Sequence, residues 1–588
     1  MENILLSYIN NNQYNDAISF FEKNIDSLPL NENICIIAAT IYSYFSNQEL
    51  TLYYIEKGLE LNPKNYELYM MLGNYYFDIN INLSFLCYEN AEYFCEIETG
   101  IESDDYAYIH TLKNSCYSHP DFSVKPVSFV ILSYNTLDVT KVCLKSIRLH
   151  CKLDTYEIIV IDNASTDGSR EWLASQSDIK FIANTENIGF PAGCNQGIEL
   201  STPDNDIFLL NNDTIMMSNS LYTLRMGLYA ERSIGAAGSV TNYAVNHQMV
   251  VSSNISPADA FNLSYHNNIP RRNSFEYKLW LVGFALLLKR PVLKKVGLLD
   301  TLYSPGHYED NDLCIRIAQA GYSNILCYNS FIFHWGSKSF NTLGNEQFCN
   351  LSNTNRDKFK AKWGFNPDYY SHIRQDIIPF ISDDHDTPLK ILEIGCGAGA
   401  TLAHIKYLFP NSKVHGIELV QEIVSISDKN LNIICGNIEN MILPYEKHSF
   451  DYIICGDVLE HLLYPQNTLS MLREYLKLDG YILASLPNLM NAKVIYNLLC
   501  GNFTYTDSGI LDKTHVRFFT LKEIIKLFEE QGFTLENIEY SVSPTESTET
   551  NIDFFKQLLQ IEGIAPKEEF DAYQYLVKAK KKSTAILH

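Results

Sequence analysis

Apolar and polar positions follow two different rhythms along the chain. Over roughly the first 95 residues the apolar side chains recur with helical spacing, and the pattern repeats with the 34-residue period of paired-helix repeats. Aromatic residues mark this period at matching positions, namely Tyr8, Tyr42 and Tyr76, and Phe20, Tyr54 and Tyr88. From Val127 onward, short apolar strands such as VSFVILS and YEIIVID alternate with helices. This alternation predicts an α/β sheet with ligand loops at the carboxyl ends of its strands.

A second alternation of strands and helices begins at Leu389 and predicts a second α/β domain. The stretch before it contains the proline and acidic residues of ISDDHDTP, which are typical of a linker. The basic run KAKKK near the C-terminus is predicted to be a solvated end. We therefore predict helical repeats at 1–98, a linker at 99–125, an α/β domain at 126–365, a linker at 366–387, an α/β domain at 388–580 and a tail at 581–588.

Composition agrees with a multidomain globular protein. A chain of 588 residues exceeds one hydrophobic core, and 46% hydrophobic with 19% charged residues are globular values. The net charge of -24 and the pI of about 5.0 exclude a broad surface for nucleic acid or anionic membrane. Anionic substrates must therefore be captured locally.

Three further features predict a cytoplasmic protein without a membrane span. Fourteen cysteines occur without a CxxC pair, which favours reduced thiols over a disulfide framework. The start, MENILLSYINNN, lacks the basic and long apolar segments of a secretory signal. The longest apolar run, LWLVGFALLL, is about half a membrane span and is predicted to be a buried strand.

The first 98 residues resemble tetratricopeptide repeats, with AATIYSY and MLGNYYF as the best matches. This resemblance implies stacked helical hairpins with a concave groove that often holds a peptide, and hence a protein partner. The alternative is that the hairpins only cap the next domain.

Residues 126–365 carry a series of motifs in a fixed order, namely SFVILSYN, EIIVIDNASTDGS, NTENIGFPAGCNQGI, FLLNNDTIM, WLVGFALLLKR, GHYEDNDLCIRIAQAGY and SFIFHWGSKSF. On these motifs the segment resembles the GT-A fold of family 2 inverting glycosyltransferases. The resemblance implies a nucleoside diphosphate sugar as donor. The residues that it places around the donor or along the acceptor-side wall are Tyr134, Asn135, Asp162, Asn187, Gly189, Asn195, Asn212, Trp280 and Gly283.

Carboxylates in two of these motifs are candidates for the chemistry of sugar transfer. A divalent cation, Mn²⁺ or Mg²⁺, neutralises a leaving pyrophosphate, and we predict Asp213 as its ligand. The resemblance adds His334 to the metal shell. Asn211 stands where the family's Asp-x-Asp motif begins, which removes one anionic ligand and leaves metal dependence open. The resemblance assigns the base to Asp310 with Glu309 beside it, whereas the alternative is simple capping of a helix start.

Residues 388–580 carry a second series of motifs, namely ILEIGCGAGA, VHGIELV, IICGNIENM, FDYIICGDVLEHL, LKLDGYILASLPN and KTHVRFFTLKEI. On these the segment resembles class I S-adenosylmethionine-dependent methyltransferases, which implies that cofactor as methyl donor. The implied cofactor contacts are Glu393, Gly395, Gly397, Gly399, Glu418, Asn437 and Asp457. His461 and His515 are candidate bases, although each could be an ordinary packed histidine.

Together these segments predict a bifunctional enzyme. One domain transfers a hexosyl, deoxyhexosyl or N-acetylhexosaminyl group to a protein or glycan acceptor, and the other methylates the sugar or glycan, as in flagellin-type or other surface glycosylation. A second hypothesis is assembly of a polysaccharide or O-antigen on a lipid-linked acceptor. A third is a scaffold whose transferase domains are inactive.

Overall fold

The computed structural model describes residues 1–336, 345–543 and 545–582, which form two compact units, residues 1–366 and 367–588. The first unit begins with helices α1 (Glu2–Asn10), α2 (Tyr14–Asn24), α3 (Glu32–Tyr44), α4 (Gln48–Leu61), α5 (Tyr66–Tyr76), α6 (Ile81–Thr99) and α7 (Asp104–Ser115). Helices α3 to α6 each begin after an asparagine whose side chain accepts a hydrogen bond from the first turn. The predicted helical N-terminal region is therefore confirmed.

The helical spacing partly follows the predicted period. Helix α2 begins at Tyr14 and α4 at Gln48, 34 residues later, and α3 and α5 are offset by the same amount. Helix α3, in contrast, begins 30 residues after α1. The assignment of these hairpins to tetratricopeptide repeats stays a prediction.

The helical region packs directly on the α/β domain that follows it. Asn219 donates hydrogen bonds from its side-chain amide to the Tyr69 hydroxyl at 2.9 Å and to the Pro63 carbonyl at 3.3 Å. The Arg225 guanidinium forms an ion pair with Glu89 of α6. These contacts are those expected of hairpins that cap the neighbouring domain.

Residues 99–125, predicted as a linker, contain helix α7, which is fixed by a buried carboxylate. Glu92 of α6 is fully buried and accepts hydrogen bonds from His110 and Lys113 of α7 and from Lys152 of the α/β domain. Burial alone would raise the pKa of Glu92, but these partners outweigh it and lower the pKa to about 2. Because α7 supplies two of the three partners of this buried carboxylate, residues 104–115 are an ordered part of the first unit.

The α/β domain contains strands β1 (Val127–Ser133), β2 (Tyr156–Asp162), β3 (Ile179–Ala183), β4 (Asp206–Leu210), β5 (Thr214–Ile215), β6 (Ile234–Val240), β7 (Phe275–Lys278), β8 (Ala285–Leu288), β9 (Ser323–Phe331) and β10 (Phe333–His334). Eight of them form a sheet in the order β3-β2-β1-β4-β8-β6-β9-β7, while β5 and β10 form a separate ribbon. Strands β1, β2, β3 and β4 are parallel, so their carboxyl ends lie along one edge. The predicted α/β sheet is confirmed.

The helices of this domain are α8 (Leu137–His150), α9 (Ser169–Ala174), α10 (Phe190–Leu200), α11 (Ser220–Leu228), α12 (Pro257–Asn267), α13 (Arg290–Val296), α14 (Glu309–Gln319) and α15 (Asn345–Trp363). The apolar run LWLVGFALLL is only partly the predicted strand, since residues 279–284 form a loop and β8 begins at Ala285. The loop bends because the N–H of Gly283 donates a hydrogen bond to Asp310 instead of pairing with a strand.

The second unit is a seven-stranded sheet in the order β13-β12-β11-β14-β15-β17-β16. Its strands are β11 (Lys390–Ile394), β12 (Lys413–Glu418), β13 (Ile433–Cys435), β14 (Phe450–Gly456), β15 (Leu476–Pro487), β16 (Phe533–Val542) and β17 (Ala572–Lys581). Strand β17 is antiparallel to both of its neighbours, whereas β11 to β15 are parallel. This arrangement confirms the predicted Rossmann-like domain.

Its helices are α16 (Pro367–Tyr370), α17 (Ala400–Leu408), α18 (Gln421–Ile426), α19 (Pro465–Tyr475), α20 (Ala492–Leu499), α21 (Leu521–Glu530), α22 (Ile552–Leu558) and α23 (Lys567–Asp571). The predicted linker at 366–387 differs from the structure, because nearly all of it lies within this unit and Ile373, Ile377 and Phe380 are buried.

The predicted C-terminal tail, residues 581–588, lies outside the described residues from 583 onward. Lys578 and Lys581 belong to β17 and are largely buried, so KAKKK is not the predicted solvated end. Lys581 donates a hydrogen bond to the Leu476 carbonyl at 2.8 Å, which explains how a lysine is accommodated there. Across the part of the chain that the structure describes, every helix is too short or too polar to traverse a bilayer.

Candidate active sites

Asp162, the last residue of β2, lies at the carboxyl edge of the parallel strands. Its side chain is fully buried, and Oδ2 accepts a hydrogen bond from the N–H of Ser165 at 3.1 Å. Oδ1 has no hydrogen-bond partner among the residues that the structure describes. Because an unpartnered buried oxygen is costly, a donor on a bound ligand would stabilise it. Asp162 therefore fits the predicted contact with the donor, because its Oδ1 can accept a hydrogen bond from a donor N–H.

The loops after β1 and β2 are joined by Asn135 at the same edge. Its N–H donates to Ser165 Oγ at 2.9 Å, and its Oδ1 accepts a hydrogen bond from the N–H of Thr166 at 2.7 Å. Tyr134 precedes it and is half-buried. The structure thus brings Tyr134, Asn135 and Asp162 to neighbouring positions at one edge of the sheet.

Asn187 and Gly189 shape the loop that follows β3. Asn187 Oδ1 accepts hydrogen bonds from the Gly189 N–H at 3.0 Å and from Asn163 Nδ2 at 3.1 Å. Gly189 has a φ of +85°, and a Cβ there would lie 3.0 Å from Pro305 Cα. Glycine is required because both the left-handed backbone and the close approach disfavour a side chain.

Two predicted donor contacts have their side-chain amides engaged within the protein. Asn195 Nδ2 donates to the Leu299 carbonyl at 2.8 Å, and its Oδ1 accepts from the Leu299 N–H at 3.0 Å. Asn212 Nδ2 donates to the hydroxyls of Thr136 at 2.6 Å and Thr140 at 2.8 Å. Both amides thus have structural tasks that sequence reasoning missed, since their partners are distant along the chain.

Asp213 and His334 meet across the small β5–β10 ribbon. His334 Nε2 lies 3.2 Å from Asp213 Oδ1, and both side chains are buried. His334 Nδ1 donates to the Tyr243 carbonyl at 2.8 Å, because a carbonyl can only accept. In the neutral ring this leaves the lone pair of Nε2 facing the carboxylate. A carboxylate and an imidazole lone pair at this distance fit a shared divalent cation.

Residues 283 and 284 connect this pair to Asp310. The N–H of Gly283 donates to Asp310 Oδ2 at 2.8 Å, and a Cβ on Gly283 would lie 3.3 Å from the Cβ of Asp310. The ring of the next residue, Phe284, stacks on His334 with centroids 5.0 Å apart. Because adjacent residues hold both groups, Asp310 and the Asp213–His334 pair belong to one region of the domain. Trp280 is packed in the core, with only 6% of its surface exposed.

The start of helix α14 holds Glu309 and Asp310 in a low-polarity environment. Burial raises the pKa of Glu309 well above its usual range, and repulsion from Asp310 adds to this effect. Burial also raises the pKa of Asp310, although hydrogen bonds from the Gly283 and Asn311 N–H groups oppose that shift. A raised carboxylate pKa suits a group that must accept a proton. Simple capping does not explain why Glu309 is buried beside a second carboxylate.

Polar residues outside the predicted catalytic set hold this helix start in place. His307 and Tyr308, just before it, have φ values of +75° and +77°. Asn355 of α15 is fully buried and donates to the Tyr303 and Gly306 carbonyls at 2.7 and 2.8 Å. Sequence reasoning missed Asn355, because nothing in α15 marks a contact some 50 residues back along the chain.

In the second unit, the three predicted glycines form the turn between β11 and α17. Gly395, Gly397 and Gly399 have φ values of +67°, +55° and +88°. A Cβ on Gly397 would lie 3.1 Å from the Tyr370 carbonyl oxygen, and one on Gly395 would lie 2.9 Å from a methyl of Val458. The turn thus requires glycine for its backbone and for the closeness of its neighbours.

The side chain of Glu418, the last residue of β12, forms a hydrogen bond with the glycine turn. Its Oε2 accepts a hydrogen bond from the Gly397 N–H at 2.9 Å, and its Oε1 accepts from the Val420 N–H at 3.0 Å. Asn437, predicted as a cofactor contact, is exposed after β13 and accepts a hydrogen bond from the N–H of Glu439 at 2.9 Å. The glycine turn, Glu418 and Asn437 follow the carboxyl ends of three adjacent parallel strands.

Glu393 lies inside β11 and is buried. Burial raises its pKa to about 8, despite nearby Arg374 and a hydrogen bond with Thr401. Its Oε2 has no partner within the described parts of the chain. With a pKa of about 8, Glu393 is largely protonated at neutral pH.

Asp457 accepts hydrogen bonds from three side chains, and two of them, Arg374 and Gln574, lie outside every predicted motif. Its Oδ2 accepts a hydrogen bond from Arg374 at 2.9 Å, and its Oδ1 accepts from Ser485 at 2.7 Å and from Gln574. Arg374 lies in the predicted linker, where no motif signals it. These bonds give Asp457 a positioning task at the end of β14 in addition to its predicted cofactor contact.

The two candidate bases, His461 and His515, are brought together. Their ring centroids are 4.8 Å apart with an interplanar angle of 74°. Burial and the neighbouring His515 lower the pKa of His461, so its neutral form is favoured. Both rings lie beside the side chain of Glu460, and Glu460 itself belongs to the loop that follows β14.

Two family models match separate parts of the chain. Residues 128–297 match Glycosyl transferase family 2, and residues 367–538 match a methyltransferase domain. The first range includes strands β2 to β8 and nearly all of β1, and the second includes β11 to β15 and part of β16. The chain therefore carries a GT-A family 2 glycosyltransferase domain fused to a class I methyltransferase domain.

Known proteins resemble parts of the chain. The malonyl-[acyl-carrier protein] O-methyltransferase of Halalkalibacterium halodurans is 32% identical over 111 residues, 18% of this chain and 41% of that protein. The demethylmenaquinone methyltransferase of Bacillus cytotoxicus is 26% identical over 172 residues, 26% of this chain and 71% of that protein. The chain thus spans less than half the length of the first of these relatives.

Among solved structures, mannosyltransferase PcManGT from Pyrobaculum calidifontis in complex with GDP-Man and Mn²⁺ aligns with 56% of this chain and 84% of its own. The sequence identity is 16% and the TM-score is 0.30.

Proposed function

We propose that the protein transfers a sugar from a nucleoside diphosphate sugar to an acceptor hydroxyl with inversion, and transfers a methyl group from S-adenosylmethionine to a sugar or glycan. The observation that carries the first activity is the continuous path from Asp310 through Gly283 and Phe284 to His334 and Asp213. This path supports the proposal that Asp310 accepts the proton and that Asp213 and His334 hold a cation in the same region.

In the proposed sugar transfer, the acceptor oxygen attacks the anomeric carbon and its proton passes to Asp310. The bond between the anomeric carbon and the phosphate oxygen breaks, and the nucleoside diphosphate leaves. Asp213 and His334 would hold a divalent cation, which would offset the charge on the departing diphosphate. Asp162 would accept an N–H of the nucleotide base through its unpartnered Oδ1.

In the proposed methyl transfer, the glycine turn would hold S-adenosylmethionine against backbone atoms. Glu418 keeps that turn in shape through the Gly397 N–H and, as in dinucleotide sites, would also accept the ribose hydroxyls. An acceptor atom attacks the methyl carbon, the bond from sulfur to that carbon breaks, and S-adenosylhomocysteine leaves. The protein contributes mainly proximity and orientation.

For the acceptor we favour a protein or a glycan attached to a surface protein. The N-terminal helical region supports this proposal, because stacked helical hairpins often present a peptide-binding surface. A lipid-linked polysaccharide acceptor is the competing hypothesis. A cytoplasmic location and the identity of the sugar stay predictions.

The test is a donor screen with the purified full-length chain. A panel of nucleoside diphosphate sugars is incubated with Mn²⁺ or Mg²⁺, and release of nucleoside diphosphate is followed by mass spectrometry. Binding of S-adenosylmethionine is measured by titration calorimetry in parallel. We expect slow hydrolysis of one donor and saturable binding of the cofactor.

Two results would contradict the proposal. If no donor is hydrolysed and S-adenosylmethionine does not bind, the chain is a scaffold with inactive domains. If hydrolysis releases the sugar with retained anomeric configuration in nuclear magnetic resonance spectra, the inverting mechanism is wrong. Intact masses of surface proteins from a deletion strain would separate a protein acceptor from a lipid-linked one.

A further inference from the structure

Glu460, His461 and His515 form a compact cluster in the methyltransferase domain. One carboxylate oxygen and one ring nitrogen from each histidine lie within 4.8 Å of one another. Glu460 and His461 are adjacent in the loop after β14, whereas His515 comes from a loop more than 50 residues later. The N–H groups of Val516 and Arg517 donate to the Glu460 carbonyl at 2.9 and 3.0 Å, which fixes the two loops together.

Both histidines are oriented by hydrogen bonds on their far side. His461 Nδ1 donates to the Thr514 carbonyl at 3.2 Å, and His515 Nδ1 donates to the Ile510 carbonyl at 3.0 Å. Because a carbonyl only accepts, each Nδ1 carries the hydrogen and each neutral ring keeps its lone pair on Nε2. Backbone carbonyls orient metal-binding histidines in this same way.

The carboxylate of Glu460 provides the second, independent observation. The residue is 1% exposed, and neither carboxylate oxygen has a hydrogen-bond partner in any other residue of the described chain. An isolated buried carboxylate is among the most costly groups in a protein interior. A positive charge bound beside it would remove that cost, and the two imidazole lone pairs make a metal ion the natural source of that charge.

We propose that Glu460, His461 and His515 bind a divalent transition-metal ion, with Zn²⁺ the best match. Two imidazoles and one carboxylate leave at least one coordination position open, as in catalytic zinc sites, and they disfavour Mg²⁺, which prefers oxygen ligands. Tetrahedral bonds of about 2.0–2.2 Å would put neighbouring ligand atoms about 3.4 Å apart, so these atoms, now within 4.8 Å of one another, would move together by up to about 1.4 Å on binding the ion. This site is separate from the Asp213–His334 pair, which lies in the other unit.

The role of the ion rests on the methyl-transfer function proposed above. Val458, two residues before Glu460, lies next to Gly395, so the loop that carries Glu460 and His461 borders the glycine turn proposed to hold the methyl donor. An acceptor hydroxyl bound at the open position of the ion has a lowered pKa and loses its proton to solvent water. Its oxygen then attacks the methyl carbon, the sulfur–carbon bond breaks, and S-adenosylhomocysteine leaves.

The test is titration of the metal-free full-length protein with Co²⁺, followed by visible absorption, and competition with Zn²⁺. The H334Q variant removes the imidazole of the other candidate metal site, so it serves as the background. In that background we expect one Co²⁺ spectrum that Zn²⁺ displaces. Adding E460Q or H515Q should weaken Co²⁺ binding by at least about 100-fold, because loss of even an outer-sphere partner costs 10–100-fold.

The matched control is H385Q in the same background, since His385 is an exposed histidine of the same unit, and it should leave the Co²⁺ spectrum unchanged. Binding of S-adenosylmethionine is measured on every variant and should persist. If H334Q and H334Q/H515Q bind Co²⁺ equally, the metal site is wrong. If S-adenosylmethionine fails to bind even the unmodified protein, the methyl-transfer function fails instead, whatever the metal result.

Discussion

The two candidate active sites handle their activated donors in different ways. The proposed sugar-transfer site relies on side-chain charge, with buried groups at Asp162, Asp213 and His334 and a partly buried carboxylate at Asp310. The proposed methyl-transfer site relies on the conformation of the backbone. Three glycines have positive φ, and the Glu418 carboxylate accepts a hydrogen bond from the N–H of one of them, Gly397. A diphosphate donor carries charge that must be neutralised, whereas a sulfonium donor already carries a good leaving group.

This difference determines which mutations should damage each site. Replacing a carboxylate by the isosteric amide removes charge but keeps volume, so it should abolish sugar transfer. Adding a single methyl group keeps charge but changes shape, so it should damage the glycine turn.

Asp310→Asn should have the largest effect. Loss of the proton acceptor is expected to lower the rate of sugar transfer by about 10²–10⁴-fold, while binding of S-adenosylmethionine is unchanged. The measurement is nucleoside diphosphate release with and without acceptor. The control is Asp204→Asn, which removes an exposed carboxylate of the same domain. Full activity of D310N would assign the base to another residue.

Asp213→Asn should have the next largest effect. Without this carboxylate the cation is held less tightly, and loss of several kcal/mol of charge stabilisation should lower sugar transfer by about 10²-fold. Chelation of the unmodified protein should produce a similar loss that Mn²⁺ or Mg²⁺ restores. Activity that survives both treatments would mean that the Asn-Asn-Asp motif operates without a metal.

Gly397→Ala should weaken binding of S-adenosylmethionine by about 10–100-fold, because φ is +55° and the new Cβ meets the Tyr370 carbonyl oxygen. Gly501→Ala is the matched control. Gly501 also has a positive φ, but a Cβ there has no atom within 4 Å. Equal effects in both variants on cofactor binding would show that backbone strain alone, and not the closeness of Tyr370, matters.

Glu393→Gln should have the smallest effect on the rates of the two transfers, and its effect on stability should depend on pH. Burial raises the pKa of Glu393 to about 8 in the folded state, from 4.5 ordinarily. Its contribution to stability is therefore complete below pH 4.5 and is lost as pH rises towards 8, by up to about 1.4 kcal/mol per pH unit. In denaturant unfolding, the variant should lack this decline, whereas Glu446→Gln, at an exposed site, should retain it. An unchanged decline in E393Q would place its origin elsewhere.

Local motifs predicted those parts of the sites that depend on short stretches of chain. The glycine turn and the acidic start of α14 were predictable because strand, turn and helix signals are adjacent in the sequence. Contacts between distant segments were not predictable. Asn195 is engaged by Leu299, and Arg374 reaches Asp457 from a segment that looked like a linker.

Residues 99–125, predicted as a linker, contain helix α7 for a related reason. The 34-residue period of the sequence stops near residue 98, but the helices continue with α7, in which Ile109 is buried. The apolar run around Gly283 was misjudged because one hydrogen bond to Asp310 outweighs the strand tendency of its neighbours.

The Glu92 cluster has a practical consequence for dissecting the chain. A fragment that starts at Val127 would lose the carboxylate that Lys152 faces and would uncover Tyr222, which stacks edge-on against Tyr69. Such a fragment should aggregate or unfold readily, whereas a cut between residues 366 and 367 preserves both compact units. Separate expression of the two transferases should therefore keep the N-terminal helices with the first.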